Sequence, residues 1–273
     1  MAATSEVRFV EHAGARLAWT ETGPAAAPVL LLGNSLGSVK ESWQGVTALL
    51  AQRWRLVCFD ARGHGASTLS PAARGVDYSI ELLGRDALAV ADAAGAARFS
   101  YAGVSIGGMI GMWLGAHAAA RLDRLVLSNT AAKLPAQIWD ERIATVKAVG
   151  LASQADSTMQ RWFTPAFHAT GAPIIAATRA AFLAVDPDGY LGCAAAIRDM
   201  DSRPLLATIK VPTLVIAGTY DPSTPPELGR DIAAGITGAQ YVELPLAHMP
   251  QLEQPATYVG VLEKFLAEKC APT

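Results

Sequence analysis

The sequence predicts an α/β fold: a mostly parallel central sheet with helices on both faces and a helical lid insertion over one end. Three observations predict it. Short apolar runs at Val29–Leu32, Arg55–Phe59, Leu125–Leu127 and Thr213–Ala217 read as strands buried on both faces. Helical stretches such as Ile80–Ala94 separate them, and strand–helix alternation builds parallel sheets. The alternation stops between about Ala131 and Leu206, where helical segments carry Trp139, Trp162, Phe163, Phe167, Phe182 and Tyr190.

The elements follow in order. Glu6–Val10 and Arg16–Thr20 flank a turn at Ala13-Gly14 and read as a hairpin. Val29–Leu32 runs into the loop Gly33-Asn34-Ser35-Leu36-Gly37, and a helix through Val46, Leu49 and Leu50 follows. Arg55–Phe59 ends in the polar loop Asp60-Ala61-Arg62-Gly63-His64-Gly65. The helix Ile80–Ala94 turns Leu82, Leu83, Leu88 and Val90 toward a core. Arg98–Val104 is the next strand, and an apolar helix through Met109, Ile110, Met112, Trp113 and Leu114 succeeds it. Leu125–Leu127 ends at Ser128-Asn129-Thr130. Pro165, Pro173, Pro187 and Pro204 punctuate the helical stretch. The alternation resumes with strand Thr213–Ala217, helix Glu227–Ala234, strand Gln240–Leu244 and helix Tyr258–Ala267. The expected organisation is a core domain of residues 1–130 and 207–273 interrupted by a lid of residues 131–206.

Composition narrows the function. With 273 residues, 51% of them hydrophobic, the chain can bury one large core. A net charge of −2 without a Lys/Arg run argues against a nucleic-acid or anionic-membrane surface. Cys58, Cys193 and Cys270 are odd in number and far apart, which suggests neither a disulfide framework nor a metal site and fits a reducing cytoplasm. Met1–Glu11 has no apolar leader, and the run Ile106–Ala120 is short and interrupted by glycines. No phosphate loop, H-E-x-x-H or dinucleotide fingerprint occurs. The expected partner is a small-molecule substrate, with no cofactor, metal, nucleic acid or membrane.

The chemistry centres on Gly103-Val104-Ser105-Ile106-Gly107. This is G-x-S-x-G at a strand–helix bend, where one serine stands exposed and the glycines admit a close crossing. A Gly-rich turn with a helix-capping serine would look the same. A nucleophilic serine needs a base and a group to orient that base. His12, His64, His117 and His168 lie in the hairpin, a polar loop, a helix end and the lid. His248 alone follows a late strand directly, in Leu246-Ala247-His248-Met249-Pro250, and loops after parallel strands gather at the edge where Ser105 emerges. Asp221 ends another strand in Gly218-Thr219-Tyr220-Asp221-Pro222, giving the order Ser…Asp…His; Asp60 is the rival acid. The oxyanion donors expected are the backbone N–H groups of Ile106 and Leu36.

These residues and several longer stretches resemble the α/β-hydrolase superfamily and, within it, the 3-oxoadipate enol-lactonases of aromatic-compound catabolism. The superfamily features are Asp60–Gly65, the elbow, Asp221 and His248. The narrower ones are Asn34-Ser35-Leu36-Gly37, Ser128–Lys133 leading into Trp139 and Arg142, Arg161-Trp162-Phe163-Thr164-Pro165, and Ala194–Asp201. One stretch departs from that pattern: His248 is followed by Met249-Pro250-Gln251-Leu252-Glu253, a version common in other α/β hydrolases. The resemblance implies opening of a five-membered enol-lactone bearing an acetate arm, by the triad Ser105, Asp221 and His248. Asn34, Trp139 and Arg142 are the expected substrate contacts, with Arg142 facing the carboxylate and Trp162 in the core. A carboxylesterase, C–C bond hydrolase or cofactor-free perhydrolase on the same scaffold is the alternative, and a ligand receptor is a third reading.

Overall fold

Nine strands form one sheet in the computed structural model, which describes residues 6–268. In chain order the first half comprises β1 (Arg8–His12), β2 (Ala15–Thr22), β3 (Val29–Gly33), α1 (Gln44–Leu50), β4 (Arg55–Phe59), β5 (Thr68–Leu69), α2 (Ile80–Ala93), β6 (Phe99–Val104), α3 (Ile106–His117) and β7 (Leu122–Ser128). Six helices and no strand follow: α4 (Ala136–Val149), α5 (Ala155–Trp162), α6 (Pro165–Thr170), α7 (Ala172–Leu183), α8 (Pro187–Asp199) and α9 (Arg203–Leu206). The chain then returns to the sheet with β8 (Thr213–Gly218), α10 (Pro226–Gly235), β9 (Gln240–Leu244), α11 (Pro250–Glu253) and α12 (Pro255–Leu266).

The strand order is β1-β2-β4-β3-β6-β7-β8-β9, with β5 paired to β2. From β4 to β9 every pairing is parallel, whereas β2 is antiparallel to β1, β4 and β5. Helices cover both faces, so β3, β6 and β8 are buried along their whole lengths, which is why they read as unbroken apolar runs. β3 lies between β4 and β6, so the direction of winding reverses between β3 and β6. That reversal opens a crevice at the carboxyl ends of the two strands.

Several element bounds differ from the sequence reading, β1 running Arg8–His12 where Glu6–Val10 was expected and β7 running Leu122–Ser128 where Leu125–Leu127 was expected, and three further details differ. β5, only two residues long, was not anticipated. α12 begins at Pro255 rather than Tyr258, because a proline that lacks an N–H fits the first helical turn. Leu49 is exposed, and α1 buries Val46 and Leu50 instead. Cys58 and Cys193 are buried free thiols, and Cys270 lies outside the described residues. Among the described residues no single helix is long and apolar enough to cross a membrane, and no metal-binding cluster occurs.

Candidate active site

The bend between β6 and α3 is built by steric necessity. Ser105 has φ 61° and ψ −120°, a strained backbone for a residue with a side chain. Its N–H donates to the Ser128 carbonyl (3.0 Å), and its own carbonyl accepts from Thr130 Oγ1 (2.7 Å). A Cβ on Gly103 would lie 2.2 Å from the Gly107 carbonyl oxygen, and one on Gly107 would lie 2.6 Å from that of Gly33. Strand, bend and helix can therefore cross only without side chains at these positions. Among the described residues the Ser105 hydroxyl has no hydrogen-bond partner, and Ser105 borders a cavity of about 210 Å³.

The loop after β3 forms the opposite wall. Ser38 N–H donates to the Ser35 carbonyl (3.0 Å), closing a turn in which Gly37 has φ +83°, the left-handed position of a type II turn. His64 fastens this turn: its Nε2 accepts from Gly37 N–H (3.1 Å), and its Nδ1–H donates to the Arg62 carbonyl (2.8 Å). Burial pushes the His64 pKa down to about 4, so the ring is a neutral acceptor at pH 7. The Asn34 carbonyl accepts from Gly107 N–H (3.1 Å), clamping the loop to α3. Among the described residues, the N–H groups of Leu36 and Ile106 donate to no protein group.

His248 lies between the two walls. Its Nδ1 is 2.8 Å from Asp221 Oδ2, and its Nε2 is 3.5 Å from Ser35 Oγ. Asp221 also accepts from Asn129 Nδ2 (3.1 Å), Thr224 Oγ1 (2.7 Å) and the N–H groups of Ser223 (2.8 Å) and Thr224 (3.1 Å). Burial penalises its charge, but the His248 imidazole and the surrounding donors outweigh that cost and hold the carboxyl below the usual carboxylate range. Ser35, His248 and Asp221 thus form a buried serine–histidine–aspartate array, and Ser105 borders the same cavity as His248. Such an array can take a proton from a hydroxyl and hold the resulting imidazolium.

The remaining residues distribute as follows. Asp60, the rival acid, is fully buried and bonded to Lys40 Nζ (2.9 Å) and to the N–H groups of Lys40 and Ala66. Trp139 and Arg142, three apart on α4, both line the cavity, and the Arg142 guanidinium sits 4.5 Å over the Trp139 ring. Trp162 is buried against Phe182 and also meets the cavity. Asn34 does not line it; its side-chain amide donates to the Phe59 carbonyl (2.8 Å). Sequence reasoning gave no site role to Ser35, Asn129 and Thr224 around the imidazole, or to Arg161 on the cavity wall. Asn129, at a strand end, was set aside as the acid because an amide carries no charge, and its role as a donor to Asp221 shows only in the folded chain.

Residues 28–255 match the family model of the α/β hydrolase fold. The chain is an α/β hydrolase. It is similar to 3-oxoadipate enol-lactonase 2 of Acinetobacter baylyi, with 34% identity over 89% of this chain and 90% of that protein. The crystal structure of the enol-lactonase from Burkholderia xenovorans LB400 superposes with a TM-score of 0.91 at 34% identity, over 96% of this chain and all of that one. A hydrolase from Pseudomonas aeruginosa has the same TM-score at 39% identity, over 98% of this chain and all of that one. This α/β hydrolase is a serine-hydrolase-like enzyme related to enol-lactonases.

Proposed function

We propose that this α/β hydrolase opens 3-oxoadipate enol-lactone to 3-oxoadipate, with Ser105 as nucleophile, His248 as base and Asp221 as the acid that orients it. The observation that carries the reading is the meeting of the strained Ser105 bend and the His248–Asp221 pair at one small cavity. Relatives bearing the enol-lactonase name, matched along nearly the whole chain, supply the substrate.

Ser105 Oγ attacks the lactone carbonyl as its proton passes to His248 Nε2. The oxyanion rests on the free N–H groups of Leu36 and Ile106, each worth a few kcal/mol of barrier. The leaving enolate stays tethered and could re-close the ring. Protonation of the enolate at carbon, by the proton that His248 took from Ser105, gives the ketone, removes that nucleophile and leaves His248 neutral. His248 then takes a proton from the water that attacks the acyl carbonyl, returns it to Ser105 Oγ as the acyl–oxygen bond breaks, and the acid is released. Trp139 packs against the ring, and Arg142 meets the carboxylate arm. Asn34 serves by holding the oxyanion loop rather than by touching substrate. Residues 131–206 act as a lid whose helices bring Trp139 and Arg142 over the cavity.

One observation favours a second reading: Ser35 Oγ, not Ser105 Oγ, hydrogen-bonds His248, which would make Ser35 the nucleophile. Against it, unliganded serine hydrolases often lack a tight serine–histidine bond. A fluorophosphonate label located by mass spectrometry decides between them. Label on Ser105, absent in Ser105→Ala and retained in Ser35→Ala, supports the first reading; label on Ser35 overturns it. Enol-lactone opening, measured beside nitrophenyl acetate cleavage and peroxide-dependent halogenation, tests the substrate.

A further inference from the structure

Ser35 carries a buried hydroxyl to which neither half of the proposed covalent reaction gives a part. Its Oγ lies 3.5 Å from His248 Nε2, the nitrogen that moves the proton, and has no other hydrogen-bond partner among the described residues. That distance is long for a hydrogen bond between a hydroxyl and an imidazole, and two polar atoms so placed can share a water. Ser35 borders the same cavity as Leu36, Ser105 and His248. Its place is fixed from both sides. The Asn34 carbonyl accepts from Gly107 N–H (3.1 Å), the Ser35 carbonyl accepts from Ser38 N–H (3.0 Å), and Gly37 N–H donates to His64 Nε2 (3.1 Å). The hydroxyl thus stands on a pinned turn, beside an oxyanion donor and within reach of the base.

We propose that Ser35 positions the hydrolytic water: its Oγ and His248 Nε2 together hold the water that attacks the acyl group on Ser105. The proposal rests on the reading of Ser105 as nucleophile and His248 as base, and it gives the second half of that reaction a residue of its own. Nε2 accepts one hydrogen of the water, and a water held by one hydrogen turns freely about that bond. Ser35 Oγ accepts the other hydrogen, which stops the turning and leaves a lone pair free to meet the acyl carbon. On attack the water oxygen bonds to that carbon, the first hydrogen passes to Nε2, and Ser35 keeps its own proton. The bond from the acyl carbon to Ser105 Oγ then breaks as Nε2 returns the proton to that oxygen. Acylation needs no such anchor, because Ser105 Oγ is placed by its own backbone. The two serines facing His248 therefore divide the work: one attacks in the first half-reaction, and the other orients the attacker in the second.

The test separates the two half-reactions with p-nitrophenyl acetate, whose acylation step releases nitrophenolate and whose deacylation step consumes water. Enzyme quenched in the steady state is weighed intact by mass spectrometry. The ratio of acetylated to free enzyme reads the acylation rate over the deacylation rate. Free enzyme is counted as sites that a fluorophosphonate still labels, so unfolded protein drops out. Ser35→Ala is expected to raise that ratio by about tenfold or more at the same ester concentration, with the acetyl group on Ser105. Its kcat/KM, which reports acylation, should stay within about twofold of wild type while kcat falls. Ser35→Thr, which keeps a hydroxyl, should bring the ratio back toward wild type. A ratio in Ser35→Ala within about twofold of wild type overturns the proposal, as does a kcat/KM that falls as far as kcat. If either occurs with label still on Ser105, the nucleophile assignment survives alone. A Ser35→Ala enzyme that takes neither acetyl group nor label makes Ser35 the nucleophile, and a wild type that is never acetylated removes the covalent route; both overturn the Ser105 reading and the proposal together.

Discussion

The Nδ2 of Asn129 lies 3.1 Å from the Oδ2 of Asp221, the same oxygen that faces His248. Asn129 reaches it from a left-handed backbone (φ 46°) and also donates to the Ala247 carbonyl (3.0 Å), beside the histidine. One carboxamide therefore holds both the acid and the imidazole loop. Asn129→Ala is expected to lower kcat by about tenfold, against about 10⁴-fold for Asp221→Asn. Asn129→Asp would set a second carboxylate against the first and raise the pair's upper pKa. The acid limb of kcat against pH should then move to higher pH; a limb unchanged from wild type would show the contact to be idle.

Glu253 joins two parts of the chain. It accepts from the Thr164 hydroxyl at the start of α6 and from Ala247 N–H (3.2 Å), one residue before His248. Glu253→Ala would strand these buried donors, each costing about 1–3 kcal/mol. We expect a lower Tm together with a fall in kcat, and partial recovery of both in Glu253→Gln. A drop in Tm with unchanged kcat would confine Glu253 to stability.

His64 gives the protein an acid-sensitive turn. Its folded pKa of about 4 lies below the unfolded value near 6.5, so at intermediate pH only the unfolded chain binds the proton. The stability it contributes is present above pH ~6.5 and is lost as pH falls toward about 4, with a total on the order of 3 kcal/mol. Urea unfolding across this window should show the loss, and His64→Gln should flatten the curve.

Two glycines should respond oppositely to alanine. In Gly103→Ala the new methyl meets the Gly107 carbonyl at the bend, and a loss of about 3 kcal/mol or more is expected. Gly260, exposed within α12, has open space around it, so Gly260→Ala should gain about 0.5–1 kcal/mol. Thermal unfolding of the two variants checks both signs.

Much of this architecture was legible because it rests on local signals. Val29–Leu32 reads as a doubly covered strand because nothing polar interrupts it, and Gly103 and Gly107 mark a crossing that no other residue permits. Asp221 and His248 stood out because each follows a strand. What escaped depends on distant partners. An arginine such as Arg161 in a helix looks like a surface residue until the fold sets it on the cavity wall. Asn129 looks like a turn residue until Asp221 arrives from 92 positions later. Ser35 belongs to a loop read for its backbone, and its hydroxyl gained meaning only beside His248.

The contact of Trp162 and Thr164 with the segment that bears His248 has an evolutionary corollary. Ser105, Asp221 and His248 follow strand ends, whereas Trp139, Arg142 and Trp162 reach the cavity from α4 and α5. A lineage can therefore exchange its selectivity by rewriting one stretch of chain, provided the replacement keeps a carbonyl for Met249 and a hydroxyl for Glu253 along that seam.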